Sequence, residues 1–285
     1  MFTCLAPGAI GVKADLEQGL DYANKGGFAG LDVNIRQAAD LVQSEGVAHV
    51  KALFSDRGLR MGGWGLGFAW NGSQEDFNEG LKALPRLAAV GQSIGSNRVT
   101  QWIPPASDGL NFRENFRFTV KRLKEIAQIL GDHGCRLGLE HIGPRTLRDG
   151  KKYGFIYTQA GMLALSEAIG TGNVGLLLDA WHWYTGLGTE SDLRALTNED
   201  VVYVHVNDAP VDVFIGDQVD NKRALPSETG VIDLVAFLRV LKEIGYDGPV
   251  TPEPFSQRVR DLPDDQAVAE TQAGLQKAWD AAGID

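Results

Sequence analysis

The chain has 285 residues, of which 44% are hydrophobic and 22% charged, a balance typical of a folded globular protein rather than a disordered one. Its formal net charge of −10 argues against a nucleic-acid partner, because binding to phosphates requires clustered lysine and arginine. No run approaches the ~18 apolar residues of a membrane helix. The N-terminus lacks the basic start and apolar stretch of a secretion signal, and the two cysteines, Cys4 and Cys135, form no disulfide framework. We therefore expect a cytoplasmic protein with no membrane contact.

Strand-like and helix-like segments alternate from one end of the chain to the other. The predicted strands are short apolar runs, at 2–5, 31–35, 59–66, 98–102, 136–139, 174–178, 201–204 and 249–252. The predicted helices follow them in turn, at 15–25, 38–55, from 73, 115–130, 158–169, 193–196, 233–244 and 265–282. Helical crossovers of this kind join parallel strands, so we expect a parallel sheet.

Eight strand–helix units without a Pro/Ser-rich linker favour a closed barrel, that is, a single (β/α)8 TIM barrel domain of the α/β class over residues 1–285. An open doubly wound sheet is the competing layout, but no Gly-x-Gly-x-x-Gly follows the first strand. The stretch Gly91-Gln-Ser-Ile-Gly95 matches the nucleophile-elbow pattern of hydrolases. That elbow needs a strand before it and a helix after it, whereas the order predicted here is the reverse. We interpret it as a turn that ends a helix.

Four ionisable residues stand where consecutive apolar runs stop: Glu140, Asp179, His205 and Glu253. The active sites of TIM barrels lie at the carboxyl ends of the strands, so these four side chains are expected to converge. Three carboxylates beside one imidazole would repel one another unless a divalent cation held them together. The alternative is a structural ion-pair network at the end of the barrel.

The ligand types indicate which cation this would be. Two glutamates, one aspartate and one histidine offer hard oxygens and one nitrogen, which favours Mn2+, with Mg2+, Co2+ or Zn2+ as the other candidates. A closed structural zinc site is not expected, because the chain has no His-Glu-x-x-His and no Cys-x-x-Cys.

Other side chains are candidates for binding a substrate. His182, one helical turn past the aspartate ligand, could hydrogen-bond a substrate hydroxyl, or it could face solvent at the start of a helix. Trp64 and Trp102 lie in or at the end of earlier strands and suggest a carbohydrate pocket, although aromatics also fill barrel mouths. Arg223 lies in a connection of more than twenty residues, of a length that is often a lid, and it is our candidate for orienting the substrate. The segment 145–152 holds four cations in eight residues, which we interpret as a solvated loop while leaving an anionic substrate group open.

These motifs resemble the xylose isomerase-like TIM barrel superfamily, and within it the sugar phosphate isomerase/epimerase group that includes ketose 3-epimerases and inosose dehydratases. The resemblance covers essentially the whole chain and rests on the four strand-end residues and on three motifs, Asp179-x-x-His182, His205-Val-Asn-Asp208 and Gly245-Tyr-Asp-Gly-Pro-Val-Thr-Pro-Glu253. It implies that the four residues bind a manganese-type cation and that His182 contacts the substrate. It also implies that Glu140 and Glu253 exchange protons with the substrate.

The chain departs from the ketose epimerases at two positions. Those enzymes carry a second glutamate six residues past the first ligand, where this chain has Thr146. They carry an arginine six residues past the histidine, where this chain has Val211, so that only Arg223 could stand in for it. These differences leave the substrate and the reaction type open.

The leading hypothesis is a metal-dependent isomerase or epimerase of a sugar or keto-sugar derivative, in which Glu140 and Glu253 remove and return a proton next to a chelated carbonyl. A lyase is the main alternative, because the same first step can expel a leaving group from a keto-inositol or a 3-keto-glycoside, with His182 or His141 as candidate acids. A non-catalytic barrel that binds sugar or metal is the alternative from another class. A metal-dependent endonuclease is disfavoured by the charge and by the presence of only five histidines. A homo-oligomer stays open.

Overall fold

The computed structural model describes residues 1–284 and contains eleven strands and eleven α-helices. The strands are β1 (Phe2–Leu5), β2 (Gly30–Leu31), β3 (Arg60–Met61), β4 (Trp64–Gly65), β5 (Arg98–Ile103), β6 (Ala106–Ser107), β7 (Arg136–His141), β8 (Tyr153–Gly154), β9 (Val174–Asp179), β10 (Val201–Val206) and β11 (Pro249–Pro252). The helices are α1 (Leu16–Gly26), α2 (Ile35–Glu45), α3 (Val47–Ser55), α4 (Gln74–Ile94), α5 (Phe112–Asp132), α6 (Gln159–Ile169), α7 (Ala180–Thr185), α8 (Glu190–Arg194), α9 (Leu234–Glu243), α10 (Gln257–Arg260) and α11 (Asp264–Ala281).

Nine of these strands form one curled parallel sheet in the order β3-β2-β1-β11-β10-β9-β7-β5-β4. Its two edge strands, β3 and β4, are consecutive in the chain and are separated only by Gly62 and Gly63. Together they occupy one position of an eight-position barrel, since β3 pairs with β2 and β4 pairs with β5. The predicted (β/α)8 class is confirmed. The remaining strands, β6 and β8, pair as a small antiparallel ribbon.

The two residues between β3 and β4 must be glycine for a steric reason. A Cβ on Gly62 would lie 2.3 Å from Asp32 Oδ1, and a Cβ on Gly63 would lie 2.7 Å from the carbonyl oxygen of Arg98 and 2.8 Å from the Tyr203 ring. Only glycine permits such close approach of the backbone to its neighbours. The strand predicted at 59–66 is present as two short pieces.

Two other element predictions need correction. The strand predicted at 31–35 ends at Leu31, because the Asn34 side chain accepts a hydrogen bond from Gln37 N and caps α2. The helix predicted at 38–55 is two helices, α2 and α3, divided at Gly46, where φ is 91°. The short helices α7 and α10 were not predicted as separate elements.

The segment Gly91-Gln-Ser-Ile-Gly95 forms the last turn of α4 and its cap. The helix runs to Ile94 and ends at Gly95, whose φ is 97°, and β5 follows. A helix thus precedes the motif and a strand follows it, so the structure confirms that the motif is no nucleophile elbow.

The core lies inside the barrel and between the sheet and its helices. Central strands such as β9 and β10 are buried along nearly their whole length, as the apolar runs predicted. Cys4 and Cys135 are both buried and free. Among residues 1–284, no helix combines the length and the apolar character that crossing a bilayer requires.

Candidate metal centre

The four predicted ligands come from four neighbouring strands of the barrel. β7, β9, β10 and β11 are adjacent in the sheet, and each contributes one side chain at or just past its carboxyl end. The register aligns His205 with Asp179 on one side and with Thr251, two residues before Glu253, on the other. Because side chains alternate between the faces of a strand, Thr251 and Glu253 point to the same side.

The ligand atoms form one compact group. One atom from each of Glu140, Asp179, His205 and Glu253 can be chosen so that all four lie within 4.8 Å of one another. The Nδ1 atom of His205 is 3.5 Å from Glu140 Oε1, 3.5 Å from Glu253 Oε2 and 3.9 Å from Asp179 Oδ2. The group faces the barrel mouth, because Asp179 is fully buried while Glu253 remains 18% exposed.

The donor set fits a divalent cation better than an ion-pair network. Glu140 Oε1 and His205 Nδ1 are both buried, and neither has a hydrogen-bond partner among the described residues. Buried polar atoms are normally hydrogen-bonded, whereas these two lie 3.5 Å apart as an ion pair without a hydrogen bond. A cation bound between them would satisfy both atoms at once. Oxygen ligands with one imidazole suit a hard or borderline divalent metal ion.

The charges of the group shift its pKa values. Burial raises the pKa of Glu140 to about 7, and the adjacent His205 imidazolium opposes this rise, while the Glu253 and Asp179 charges add to it. For His205, burial alone would lower the pKa, but the Glu253 and Glu140 carboxylates outweigh it and raise the pKa well above its usual range. Removing protons from such groups is part of the work of binding a metal.

Local structure directs Asp179 towards the centre. Its side chain caps α7, with Oδ1 accepting hydrogen bonds from Trp181 N at 2.6 Å and His182 N at 3.2 Å. This arrangement leaves Oδ2 to face the other ligands. Burial would raise the pKa of Asp179, yet the adjacent Arg223, His182 and His205 hold it below its ordinary value, so the carboxylate is ionised.

Three of the four residues predicted to bind substrate lie beside the ligands. Trp102, His182 and Arg223 line a cavity of about 510 Å³ together with Glu140 and Glu253. Trp102 is 53% exposed, whereas His182 and Arg223 are buried. A second cavity of about 710 Å³ lies on the other side of the centre and is lined by His205, Glu253, Asp32 and Asn34, among others.

Trp64 is not brought to the centre. Its indole is only 2% exposed and lies in the hydrophobic core, where Nε1 donates to Ser96 O at 3.0 Å. It is absent from the lining of both cavities. The side chain points to the helical layer rather than to the mouth, so we leave Trp64 out of the proposed site.

The positions where ketose epimerases differ lie outside the ligand group. The Thr146 hydroxyl donates to Gln218 O at 2.8 Å, and the Val211 side chain is 54% exposed. Arg223 instead supplies a cation beside the ligands, because its Nη1 donates to Asp179 Oδ2 at 2.8 Å and to Glu253 Oε2 at 3.2 Å.

Two residues of this region were missed by reasoning from sequence. Asp220 accepts a 2.7 Å hydrogen bond from Arg223 Nη2, and Phe255 packs its ring 4.7 Å from the Arg223 guanidinium. Asp220 lies in a long irregular connection, where spacing carries no positional signal. Phe255 does have a signal, since it follows the Glu253 ligand by two residues, although its φ of 40° could not be foreseen.

A profile of the xylose isomerase-like TIM barrel family matches residues 20–278. Among curated proteins, the inosose isomerase of Halalkalibacterium halodurans is 30% identical over 53% of this chain and 51% of its own length. The inosose isomerase of Bacillus velezensis is 23% identical over 85% of this chain and 84% of its own length. A 3-dehydroshikimate dehydratase of Pseudomonas aeruginosa is 25% identical over 89% of this chain, which spans 38% of that protein.

Solved structures agree with this assignment. A xylose isomerase domain protein from Alicyclobacillus acidocaldarius has a TM-score of 0.86 and 34% identity, with 99% of both chains covered. The IolI protein, solved with a bound zinc atom, shares the fold at a TM-score of 0.78 and 20% identity, over 99% of this chain and 98% of IolI. A D-psicose 3-epimerase solved in the presence of D-fructose shares the fold at 0.74 and 14% identity, over 99% and 100%. The chain belongs to the xylose isomerase-like TIM barrel family.

Proposed function

We propose that the protein is a divalent-metal-dependent isomerase or epimerase that acts on a sugar or keto-sugar derivative. The observation that carries the proposal is the group of four ligand atoms within 4.8 Å, two of them from glutamates, at the mouth of the barrel. A divalent ion bound there would polarise a chelated carbonyl and so acidify the neighbouring C–H bond. The enzymes that share this family include isomerases, an epimerase and dehydratases, which supports chemistry of this kind.

Glu140 and Glu253 are the groups proposed to move the proton. Their carboxylates approach His205 Nδ1 from different strands, Glu140 Oε1 and Glu253 Oε2 each at 3.5 Å, and both side chains line the 510 Å³ cavity. One would take the proton from the substrate carbon and the other would return a proton to it. A bound divalent cation would lower the pKa of both carboxylates, so its acidifying effect on the substrate C–H bond must outweigh this loss of basicity.

Trp102 and His182 are proposed to bind the substrate. The half-exposed Trp102 indole lies one residue before the end of β5, next to its register partner Glu140, and offers an apolar plane for the C–H face of a sugar ring. His182 lines the same cavity, where its neutral imidazole could contact a hydroxyl. Arg223 keeps its proposed role as an orienting cation, here exerted through the ligands Asp179 and Glu253 that it contacts.

The protonation states of His182 and His141 bear on which group could act as the acid in a lyase. Burial lowers the pKa of His182 to about 3 and that of His141 to about 4, so both imidazoles are neutral at pH 7. Neither then carries the extra proton that a general acid would give to a departing oxygen. A lyase stays the second candidate, because the 3-dehydroshikimate dehydratases of the family are lyases in name and share the first step.

The donor atoms and the charges around the site bear on the cofactor and the substrate. Mn2+ is proposed as the resident ion on the basis of the three carboxylates, while the zinc in IolI keeps Zn2+ as the nearest rival. In the segment 145–152, Arg145 pairs with Asp217 and Lys151 with Asp108, both at exposed positions. We propose a small carbohydrate substrate and leave its charge open, because Lys151 also lines the 510 Å³ cavity. The net charge of −10 disfavours a nucleic-acid partner. We retain the cytoplasm as the proposed location and a homo-oligomer as an open alternative.

Glu253→Gln tests the proposal. The wild-type protein, loaded with Mn2+, is incubated in deuterated water with a panel of keto-sugars and 2-keto-inositols, and deuterium uptake is followed by NMR. We expect exchange at the carbon next to the carbonyl in at least one substrate, and a loss of at least about 100-fold in Glu253→Gln because its amide cannot accept the proton. Retained exchange in the variant would remove Glu253 from the mechanism.

The products of the same incubations separate the rival functions. An epimer or an isomeric ketone supports the proposal, whereas an unsaturated product or a released alcohol identifies a lyase. Metal binding without exchange on the whole panel would instead indicate a non-catalytic binding barrel.

A further inference from the structure

Arg223 is a buried guanidinium surrounded by side chains that commonly bind metal ions. Its Nη1 donates to Asp179 Oδ2 at 2.8 Å and to Glu253 Oε2 at 3.2 Å. Its Nη2 donates to Asp220 Oδ1 at 2.7 Å and lies 3.1 Å from His182 Nε2. Its Nε donates to the backbone oxygen of Asp220 at 2.9 Å. Each of the three nitrogens is therefore engaged within the protein.

The group around Arg223 resembles the group that forms the metal centre. It consists of three carboxylates and one imidazole, the same types as Glu140, Asp179, His205 and Glu253. Two members, Asp179 and Glu253, belong to both groups. Asp179 Oδ2 and Glu253 Oε2 each face both His205 and Arg223, and a carboxylate oxygen can bridge two cations. Arginine cannot itself be a metal ligand, because a guanidinium has donors and no free acceptor. The positively charged guanidinium therefore occupies a position whose surrounding side chains are suited to a metal cation.

The guanidinium is fixed in this place from two sides. Its Cζ lies 4.8 Å from the ring of Trp181 and 4.7 Å from the ring of Phe255, so aromatic faces cover it where carboxylates do not. Only 1% of its side chain is exposed. Such packing distinguishes Arg223 from its exposed neighbour Lys222 and gives the guanidinium little freedom to leave.

We propose that the pocket has two cation positions and that the Arg223 guanidinium fills the second one. The native chain then binds one divalent ion. Loss of the guanidinium opens a second divalent-ion site, formed by Asp179, His182, Asp220 and Glu253. The inference rests on the metal centre of the proposed function. It adds that the number of ions is set by a residue that is not itself a ligand.

The chemical consequence concerns the class of reaction. A single divalent ion suits the chelation of a carbonyl and a hydroxyl, whereas two ions about 3.5–4 Å apart form the arrangement used to hydrolyse phosphate esters. A guanidinium cannot be exchanged or removed by a chelator. By holding one position permanently, Arg223 commits the pocket to one-ion chemistry and acts as a specificity-determining residue.

The test counts ions in folded protein. Wild type and Arg223→Met are stripped with a chelator, reloaded with excess Mn2+ and freed of unbound ion, and manganese per chain is measured by elemental analysis. We expect one ion in wild type, one in Arg223→Lys, which keeps the charge, and two in Arg223→Met. The double variant Arg223→Met/Asp220→Asn should return to one, because Asp220 belongs only to the second group. The electron paramagnetic resonance spectrum should show a spin-coupled pair in Arg223→Met alone.

Circular dichroism first confirms that each variant is folded, and Arg223→Gln, which keeps amide donors, replaces Arg223→Met if the latter does not fold. One ion in wild type and one in whichever folded neutral variant is measured would overturn the inference while leaving the proposed function intact. If the wild-type protein binds no ion, the four residues do not form a metal centre, and both proposals fail together.

Discussion

At the scale of single residues, the centre is defined by polar atoms that the protein leaves without partners. Glu140 Oε1 and His205 Nδ1 are buried and unbonded among the described residues, although leaving such atoms unpaired costs about 1–3 kcal/mol each. Other ligand atoms are carefully supported, as in the capping contacts of Asp179. These two atoms lie next to each other in the group of four candidate ligands, where a divalent cation would satisfy both.

Because the Glu140 carboxylate is buried, we expect Glu140→Gln to raise the free energy of unfolding of the metal-free protein by an amount that depends on pH. Folding raises the pKa of Glu140 from 4.5 to about 7, so the native state binds more protons than the unfolded state between these values. The stability that the protonated Glu140 side chain contributes is therefore lost as the pH rises from 4.5 through about 7. Glutamine avoids the loss, so the variant should exceed wild type at pH 8 by about 1–3 kcal/mol in the free energy of unfolding, and by less at pH 5.

Urea unfolding of chelator-treated protein at both pH values measures this difference. Glu167→Gln, on the exposed face of α6, is the control and should match wild type at each pH. A metal-free Glu140→Gln protein that is less stable than wild type at pH 8 would contradict the prediction.

The convergence of the four candidate ligands could be predicted from sequence, because an ionisable residue at the end of an apolar run is visible without coordinates. Asp220 could not, since its contact with Arg223 depends on the path of an irregular connection. Trp64 was wrongly grouped with Trp102 for a different reason. Which face of a strand a side chain occupies depends on the register, and the glycines before Trp64 interrupt the strand and remove that information.

At the scale of elements, the connection between β10 and α9 is held by one carboxylate. Asp208 is fully buried, and its oxygens accept hydrogen bonds from the backbone nitrogens of Ala209, Thr229, Gly230 and Ile232, all at 2.7–3.0 Å. It also forms an isolated antiparallel bridge with Ala224, next to Arg223. The long connection is thus tied at its base, which positions Arg223 over the ligands.

Asp208→Ala should therefore destabilise the protein strongly. It leaves several buried N–H groups without acceptors, and we expect a loss of about 3–5 kcal/mol in the free energy of unfolding, with faster proteolysis within residues 210–230. Asp217→Ala is the matched control in the same connection, because its exposed ion pair with Arg145 is worth at most about 1 kcal/mol. Similar losses in the two variants would show that Asp208 has no special role.

Helix and strand boundaries were predictable where caps and apolar periodicity agreed. The helix predicted from residue 15 begins at Leu16, because Asp15 and Gln18 form a capping box. The division at Gly46 and the early end of β2 at Leu31 were missed, since each depends on one local hydrogen bond or one glycine conformation. The type of each element could be predicted because it depends on a pattern of many residues. The positions where elements break could not, because each depends on a single residue.

At the scale of the whole molecule, barrel closure depends on the short segment that joins β3 to β4. This segment pairs with β2 on one side and β5 on the other, and it leaves room for no side chain at its centre. The ligands come from four adjacent strands on the opposite side of the barrel order. Closure therefore fixes the curvature that brings them together.

Gly63→Ala should weaken this closure. Its Cβ would meet the Arg98 carbonyl oxygen at 2.7 Å and the buried Tyr203 ring at 2.8 Å, and neither can move freely, so we expect a loss of about 2–4 kcal/mol. Gly65→Ala is the control, because nothing lies within 4 Å of its added Cβ. Thermal unfolding of the two variants measures the contrast, and equal melting temperatures would show that the gap is not required.

The most direct test of the metal centre is anomalous diffraction from a crystal of the wild-type protein soaked in Mn2+. The four side chains are expected to surround a single manganese peak, with Glu140, Asp179, Glu253 and His205 Nδ1 each about 2.0–2.3 Å from it. Absence of a peak at this position, at a concentration that saturates other Mn2+ enzymes, would contradict the assignment of these residues as ligands.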